Sequence, residues 1–259
     1  MSKTASAFDH GKAFVAFITC GDPDLETTAK AVKAAVENGA DLIELGIPFS
    51  DPTAEGPVIQ EASLRALRGG VTTDLVFGFV QELRKDITVP MVFMTYANVI
   101  FSYGAEKFIS SCEKVGIDGL ILPDLPYEEK EEFLPLCRRY GVDLISLIAP
   151  TSENRAAMIA REAEGFIYLV SSLGVTGTRN EITTDLAPIV RTIRENTKVP
   201  VAVGFGISTP EQAKAMAALS DGAIVGSAIE KILARYGKDA PGHIGEYVHS
   251  MKNALEELN

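Results

Sequence analysis

Ala35–Pro48 reads AVENGADLIELGIP, and Val115–Pro123 repeats its plan as VGIDGLILP. Tyr140–Pro150, YGVDLISLIAP, and Ser220–Gly226, SDGAIVG, follow the plan again. Each is a turn of Gly and Asp, then a short apolar run, then Gly or Pro. Gly suits the left-handed residue that closes a helix. The run is too short for a helix and fits a strand buried on both faces. A second phrase occurs twice, TVPMVFM at Thr88–Met94 and KVPVAVG at Lys198–Gly204. Pro is tolerated at the mouth of a strand because it need not donate to the ladder there.

Helical patterns separate these runs. Asp24–Asn38 carries Leu25, Ala29, Val32 and Val36 on one stripe, and Thr73–Lys85 offers Leu75, Val76, Phe79, Val80 and Leu83. Thr151-Ser152-Glu153 opens a helix through Arg161, and Thr209–Leu219 opens on a cap followed by Pro. The expected strands are Phe14–Thr19, Leu42–Leu45, Met91–Thr95, Gly119–Leu122, Leu144–Leu147, Phe166–Val170, Val201–Gly204 and Ala223–Val225. Eight strands alternating with helices over 259 residues predict an α/β chain folded as a (β/α)8 TIM barrel, a fold of ~250 residues. A doubly wound open sheet would more naturally carry G-x-G-x-x-G after its first strand, where this chain has Thr19-Cys20-Gly21-Asp22-Pro23. Nothing reads as a linker. The expectation is a single domain over residues 1–259, with an N-terminal extension at 1–13 and a closing amphipathic helix at about 240–258.

Hydrophobic residues make up 46% of the chain and charged residues 23%, which excludes disordered and low-complexity classes. The net charge of -11 argues against nucleic acid and anionic membrane as partners. It leaves room for a small anion held by backbone amides. Cys20, Cys112 and Cys137 form no C-x-x-C pair, so a reducing, cytoplasmic location is expected. The N-terminus has no apolar signal core, and no run approaches the ~18 apolar residues of a membrane span.

In such a barrel the site lies at the carboxyl ends of the strands. His10, His243 and His249 all lie near the termini, which disfavours imidazole catalysis and a His-ligated metal. Lys198 precedes its strand, so no strand-end Lys is supplied for a Schiff base. The remaining ionisable groups are Glu44, Asp51, Glu55, Asp124, Tyr96 and Tyr168. Glu44 interrupts the apolar run Leu42–Leu45. A carboxyl buried in a barrel has a raised pKa and can shuttle a proton near neutrality. A structural Glu tied to a neighbouring hydroxyl or cation would read the same way. Gly46–Pro57 is a stiff loop with Asp51, Glu55 and three prolines, equally readable as surface turn chemistry.

Glycines recur at three consecutive strand ends, in Ser171–Thr178, Gly204–Ser208 and Gly226–Ala228, the last opening a helix. That pattern suits a phosphate cradled by backbone amides. Arg179 could cover the phosphate or be an ordinary loop residue. Tyr96 and Tyr168 could orient a ligand or simply pack in the core.

ELGIPFSDP at Glu44–Pro52, AEGPVIQEAS at Ala54–Ser63, TYAN at Thr95–Asn98, GVTGTR at Gly174–Arg179, GFGIS at Gly204–Ser208 and GSAI at Gly226–Ile229 together resemble the tryptophan synthase alpha chain family. The resemblance runs in order from about Phe14 to the C-terminal helix. It implies a TIM barrel that cleaves indole-3-glycerol phosphate to indole and glyceraldehyde 3-phosphate, a lyase of tryptophan biosynthesis. It implies no cofactor in this chain, a pyridoxal phosphate-dependent beta chain as partner, and an alpha-beta-beta-alpha heterotetramer.

By the same resemblance Glu44 is the acid/base at indole C3, and Glu55 stands where the family usually has Asp holding the indole N–H. Tyr168, Phe17, Tyr96, Met94 and Phe205 would meet the substrate. Thr176, Gly177, Gly206, Ile207, Gly226 and Ser227 would form the phosphate site and its lid. Pro48, Asp51 and Asn98 would face the beta chain. Glu for Asp also keeps open a binding or regulatory subunit of weak activity. A phosphosugar isomerase would need a carboxylate ending strand one, where Thr19-Cys20 stands.

Overall fold

A computed structural model of the chain describes residues 2–171, 176–177 and 185–258. The first half contains β1 (Ala13–Thr19), α1 (Leu25–Glu37), β2 (Leu42–Gly46), α2 (Pro57–Arg68), α3 (Thr73–Leu83), β3 (Met91–Met94), α4 (Ala97–Tyr103), α5 (Ala105–Val115) and β4 (Gly119–Ile121). The second contains α6 (Leu134–Tyr140), β5 (Asp143–Ile148), α7 (Glu153–Arg161), β6 (Glu164–Val170), α8 (Ala187–Asn196), β7 (Val201–Gly204), α9 (Pro210–Leu219), β8 (Gly222–Val225), α10 (Ser227–Tyr236) and α11 (Ala240–Glu256). The strands close in sequence order into a parallel barrel, β8 returning to β1 through Ala13↔Gly222 to Ala16↔Val225. This is the (β/α)8 architecture that the repeated phrase predicts.

Strand alternation divides the apolar residues into two cores. In β1, Phe14, Ala16 and Ile18 pack outward with the helices, while Val15 and Phe17 point into the barrel. In β2, Ile43 and Leu45 face the helices and Leu42 faces inward. Glu44 shares the phase of Leu42, so the sequence rule that buries its neighbours also sends its carboxyl into the barrel. Phe166 and Tyr168 line the same interior from β6.

The repeat has a structural basis in three of its four copies. Gly39, Gly116 and Gly141 follow α1, α5 and α6 with positive φ. The fourth copy differs, because α9 ends on Ser220 in extended conformation and Gly222 lies inside β8. A Cβ on Gly222 would stand 2.5 Å from the Ala13 carbonyl oxygen, so glycine there permits strand contact instead of a helix stop. The caps follow local chemistry. Asp24 accepts from the Thr27 amide, and Thr209 and Gln212 form a reciprocal capping box on α9.

Two features depart from the expected layout. Pro57 is the first residue of α2, so the acidic loop ends at Gly56, as the fixed φ of Pro suits the start of a helix. After β3, two helices replace one, broken at Gly104 with φ 93. Before β1, a 3-10 turn at Ala5–Phe8 covers the amino-terminal end of the barrel. Ala7 joins the inner core, and Phe8 lies on Phe166 with ring centroids 5.6 Å apart. Among the described residues no helix is long and apolar enough to cross a membrane.

Candidate active site

Glu44 stands in β2 between Phe17 of β1 and Val92 of β3 in register. Its side chain is buried, 1% exposed, and Oε2 has no hydrogen-bond partner among the described residues. Burial first, and the charge of Glu55 second, hold its pKa well above the usual carboxylate range. Of the two structural alternatives, a hydroxyl or a cation tied to the carboxyl, no cation pairs with Glu44 among the described residues. The Tyr168 hydroxyl is also pushed up, by burial and then by the charges of Glu44 and Glu55.

Glu55 comes from the β2–α2 loop and is 3% exposed. The Thr176 hydroxyl donates to its Oε2 at 2.8 Å. Thr176 Oγ1 also accepts from the Gly56 amide at 2.8 Å, and the Thr176 amide donates to the Ala54 carbonyl at 3.3 Å. The loop after β6 therefore clasps the acidic loop at three atoms. Burial raises Glu55 to about 7, and hydrogen bonds from Thr176 and Tyr96 oppose that rise. The Tyr96 hydroxyl accepts from the Ala54 amide at 3.1 Å.

Glu44, Glu55, Tyr168 and Thr176 line one cavity at the carboxyl end of the barrel. Phe17, Met94, Tyr168 and Phe205 form its aromatic and apolar walls, with Glu44 and Glu55 between them. Thr176 and Gly177 line it beside Glu55, and Gly206, Ile207, Gly226 and Ser227 line it where α10 begins at Ser227, its first-turn amides free of helical partners. Phe205 takes φ 73, rare for a residue with a side chain, and its carbonyl accepts from the buried Ser171 hydroxyl at 2.5 Å. Strain of this kind persists only where neighbours enforce it. Here it turns the chain so that the Phe205 ring meets Tyr168 edge-on, centroids 6.0 Å apart.

Not every candidate enters this cavity. Tyr96 lines an adjoining pocket with Glu55, Thr19 and Ser63, so it supports the acidic loop from behind. Asp124 is exposed and accepts from the Ala97 amide at 3.0 Å, which makes it a cap for α4 rather than a site group. Asp51 and Asn98 are exposed, whereas Pro48 is buried in the isolated chain. Gly174 and Arg179 lie outside the described residues.

Ile59 and Ile224 also line the cavity and escaped the sequence reading. Ile224 was findable from strand alternation, being two residues before Gly226. Ile59 belongs to a helix start hidden by the prolines of the loop. A larger groove beside β5 and α7 offers little chemistry. Its Lys130 and Arg155 are engaged by Glu162 and Glu128. Among the described residues no cluster of His, Cys, Asp and Glu is arranged to hold a metal ion.

The tryptophan synthase alpha chain family model matches residues 4–257. A tryptophan synthase alpha chain from Lacticaseibacillus casei is 48% identical over 256 residues, covering 99% of this chain and 96% of that one. Its counterpart from Lactiplantibacillus plantarum is 49% identical over 257 residues, covering 99% and 97%. Among solved structures, tryptophan synthase subunit alpha from Legionella pneumophila superposes with a TM-score of 0.87 at 35% identity, covering 99% of each chain. A chain of the tryptophan synthase complex from Pyrococcus furiosus gives 0.86 at 34% identity, covering 94% of this chain and 99% of its own. With a family match over nearly its whole length, this chain belongs to the tryptophan synthase alpha chain family.

Proposed function

We propose that Glu44 and Glu55 carry the cleavage of indole-3-glycerol phosphate to indole and glyceraldehyde 3-phosphate, the lyase reaction of this family. The observation that carries the assignment is the pairing of two buried carboxyls, both raised, in one cavity that the first residue of α10 also lines. The reaction breaks the bond between indole C3 and the first glycerol carbon. A proton must reach C3, and the hydroxyl on the departing carbon must lose one, so the sum is proton-neutral.

Glu44, held protonated by burial, delivers the proton to C3. The ring then becomes a cationic indolenine. Glu55, as a carboxylate, accepts the indole N–H and offsets that charge in a dry site, where such stabilisation is strongest. The carboxylate left on Glu44 takes the hydroxyl proton as the C–C bond breaks, and the bond's electron pair returns to the ring. Phe17, Met94, Tyr168 and Phe205 wall the indole. The amides at Gly206, Gly226 and Ser227 hold the phosphate, with Thr176 and Gly177 closing over it.

On this reading Pro48, Asp51 and Asn98 face a beta chain that holds pyridoxal phosphate and joins the released indole to serine. The assembly would be an alpha-beta-beta-alpha tetramer in the cytoplasm. The Pyrococcus furiosus relative is described as part of a tryptophan synthase complex, which supports a partner of that kind.

The deciding assay is release of glyceraldehyde 3-phosphate from indole-3-glycerol phosphate, with a beta chain present. Glu44→Gln should lower turnover by about 10²–10⁴-fold or more while leaving binding of the substrate intact. Turnover unchanged by that substitution would remove Glu44 from the mechanism.

A further inference from the structure

Behind the barrel wall lies a second set of buried ionisable groups that the cleavage chemistry does not touch. Asp22, just after β1, and Glu230, in the first turn of α10, are both 0% exposed. Arg65 of α2 donates Nε and Nη2 to the two oxygens of Asp22, each at 2.7 Å. Glu230 Oε1 accepts from the Thr19 amide at the end of β1, at 2.6 Å. Its Oε2 has no well-formed hydrogen bond among the described residues, and Asp22 is the neighbouring charge.

The charges do not balance unless a proton is retained. Two carboxyls share this space with one guanidinium, and an unpaired buried negative charge is strongly unfavourable. Asp22 already holds Arg65 with both oxygens, so the proton belongs to Glu230. Burial, and after it the charge of Asp22, raise Glu230 to about 8. As a neutral acid it has an oxygen to accept from Thr19 and an O–H to offer Asp22, which a carboxylate lacks.

The three elements joined here all lead to the cavity. Gly226, four residues before Glu230, is the N-cap of α10, and both it and Ser227, the first helical residue, line the cavity. Thr19 ends the strand that carries Phe17 into the wall. Arg65 belongs to the helix that begins immediately after Glu55-Gly56. We propose that Glu230 is a positioning residue, held as a neutral acid between the Thr19 amide and Asp22, that fixes the N-terminus of α10 for the substrate phosphate. This rests on the phosphate reading above and names a residue outside the cavity on which that site depends.

The test uses the chain assembled with its beta chain and compares Glu230→Gln with Glu230→Met. Gln reproduces the acceptor and the donor of the neutral acid, whereas Met keeps the length and supplies neither. The Gln variant should keep the parental KM for indole-3-glycerol phosphate. The Met variant should raise it about ten-fold with kcat little changed, and inhibition by inorganic phosphate should weaken in parallel.

Infrared difference spectra of parent against the Gln variant at neutral pH should contain one carboxylic-acid C=O band, and this comparison stands even if the Met variant does not fold. Equal KM values for the Gln and Met variants, or absence of that band, would overturn the proposal. A parent enzyme that neither cleaves the substrate nor responds to phosphate would instead overturn the preceding reading, so the two failures are distinct.

Discussion

Glu55 reaches one methylene further than the Asp suggested by the family resemblance, and the extra length ends on the Thr176 hydroxyl at 2.8 Å. Its position has a thermodynamic signature. Burial raises its pKa from 4.5 to about 7 in the folded chain. A raised folded-state pKa means stability that is fully present below about 4.5 and lost as pH rises through about 7. Glu55→Gln, which cannot ionise, should therefore be more stable than the parent at about pH 8, by up to about 3 kcal/mol, with the gap closing near pH 4. Denaturant unfolding at the two pH values measures this, and a gap that stays constant with pH would contradict the burial argument.

For turnover the same ionisation has the opposite sense. kcat/KM should climb as pH passes about 7, because the indolenine needs Glu55 as a carboxylate. The apparent value belongs to the Glu44–Glu55 pair. Glu44 itself was legible in the sequence, since a lone carboxylate in an apolar strand has only the barrel interior to enter. The Thr176 contact was not legible from spacing, because its partners lie 121 residues apart and meet only when the barrel closes. The Asp22–Arg65–Glu230 array was hidden for the same reason. Its members sit 43 and 208 residues apart in patterns that otherwise read as ordinary turn and helix.

Strand ends fell within two residues of their expected places, because a strand buried on both faces leaves an uninterrupted apolar run. The element-level surprises came where one residue type serves two purposes. Proline stiffens the acidic loop and also starts α2, and glycine both stops helices and thins strands. Gly204, at the end of β7, is of the second kind. A Cβ there would meet the Tyr168 hydroxyl at 2.4 Å. Gly204→Ala should displace Tyr168 from the cavity wall, lowering kcat/KM by about ten-fold or more and stability by about 1–3 kcal/mol. Steady-state kinetics beside a thermal unfolding curve would check both. Parental values for each would mean that the ring is free to move.

The whole barrel was readable from eight runs and their spacing, since a parallel strand returns only through a crossover and the crossovers carry the helices. Its outer rim was less readable, because exposed side chains follow no burial pattern. Asp51 and Asn98 reach solvent there, and Phe101, three residues along α4 from Asn98, is 53% exposed. Asp51→Lys should weaken association with the beta chain several-fold at low salt, mostly through a slower on-rate, and the effect should fade as salt rises. Titrating the beta chain at two ionic strengths tests this. An affinity indifferent to the charge would take Asp51 off the interface.

At its other end the barrel is stoppered. Ala7 and Phe8 sit in and on the inner core against Phe166, closing an end already filled by Val15, Leu42, Val92 and Ile145. The molecule is thus shaped as a test tube and not as a pipe. Whatever docks at the open end therefore sits next to the cavity that holds Glu44.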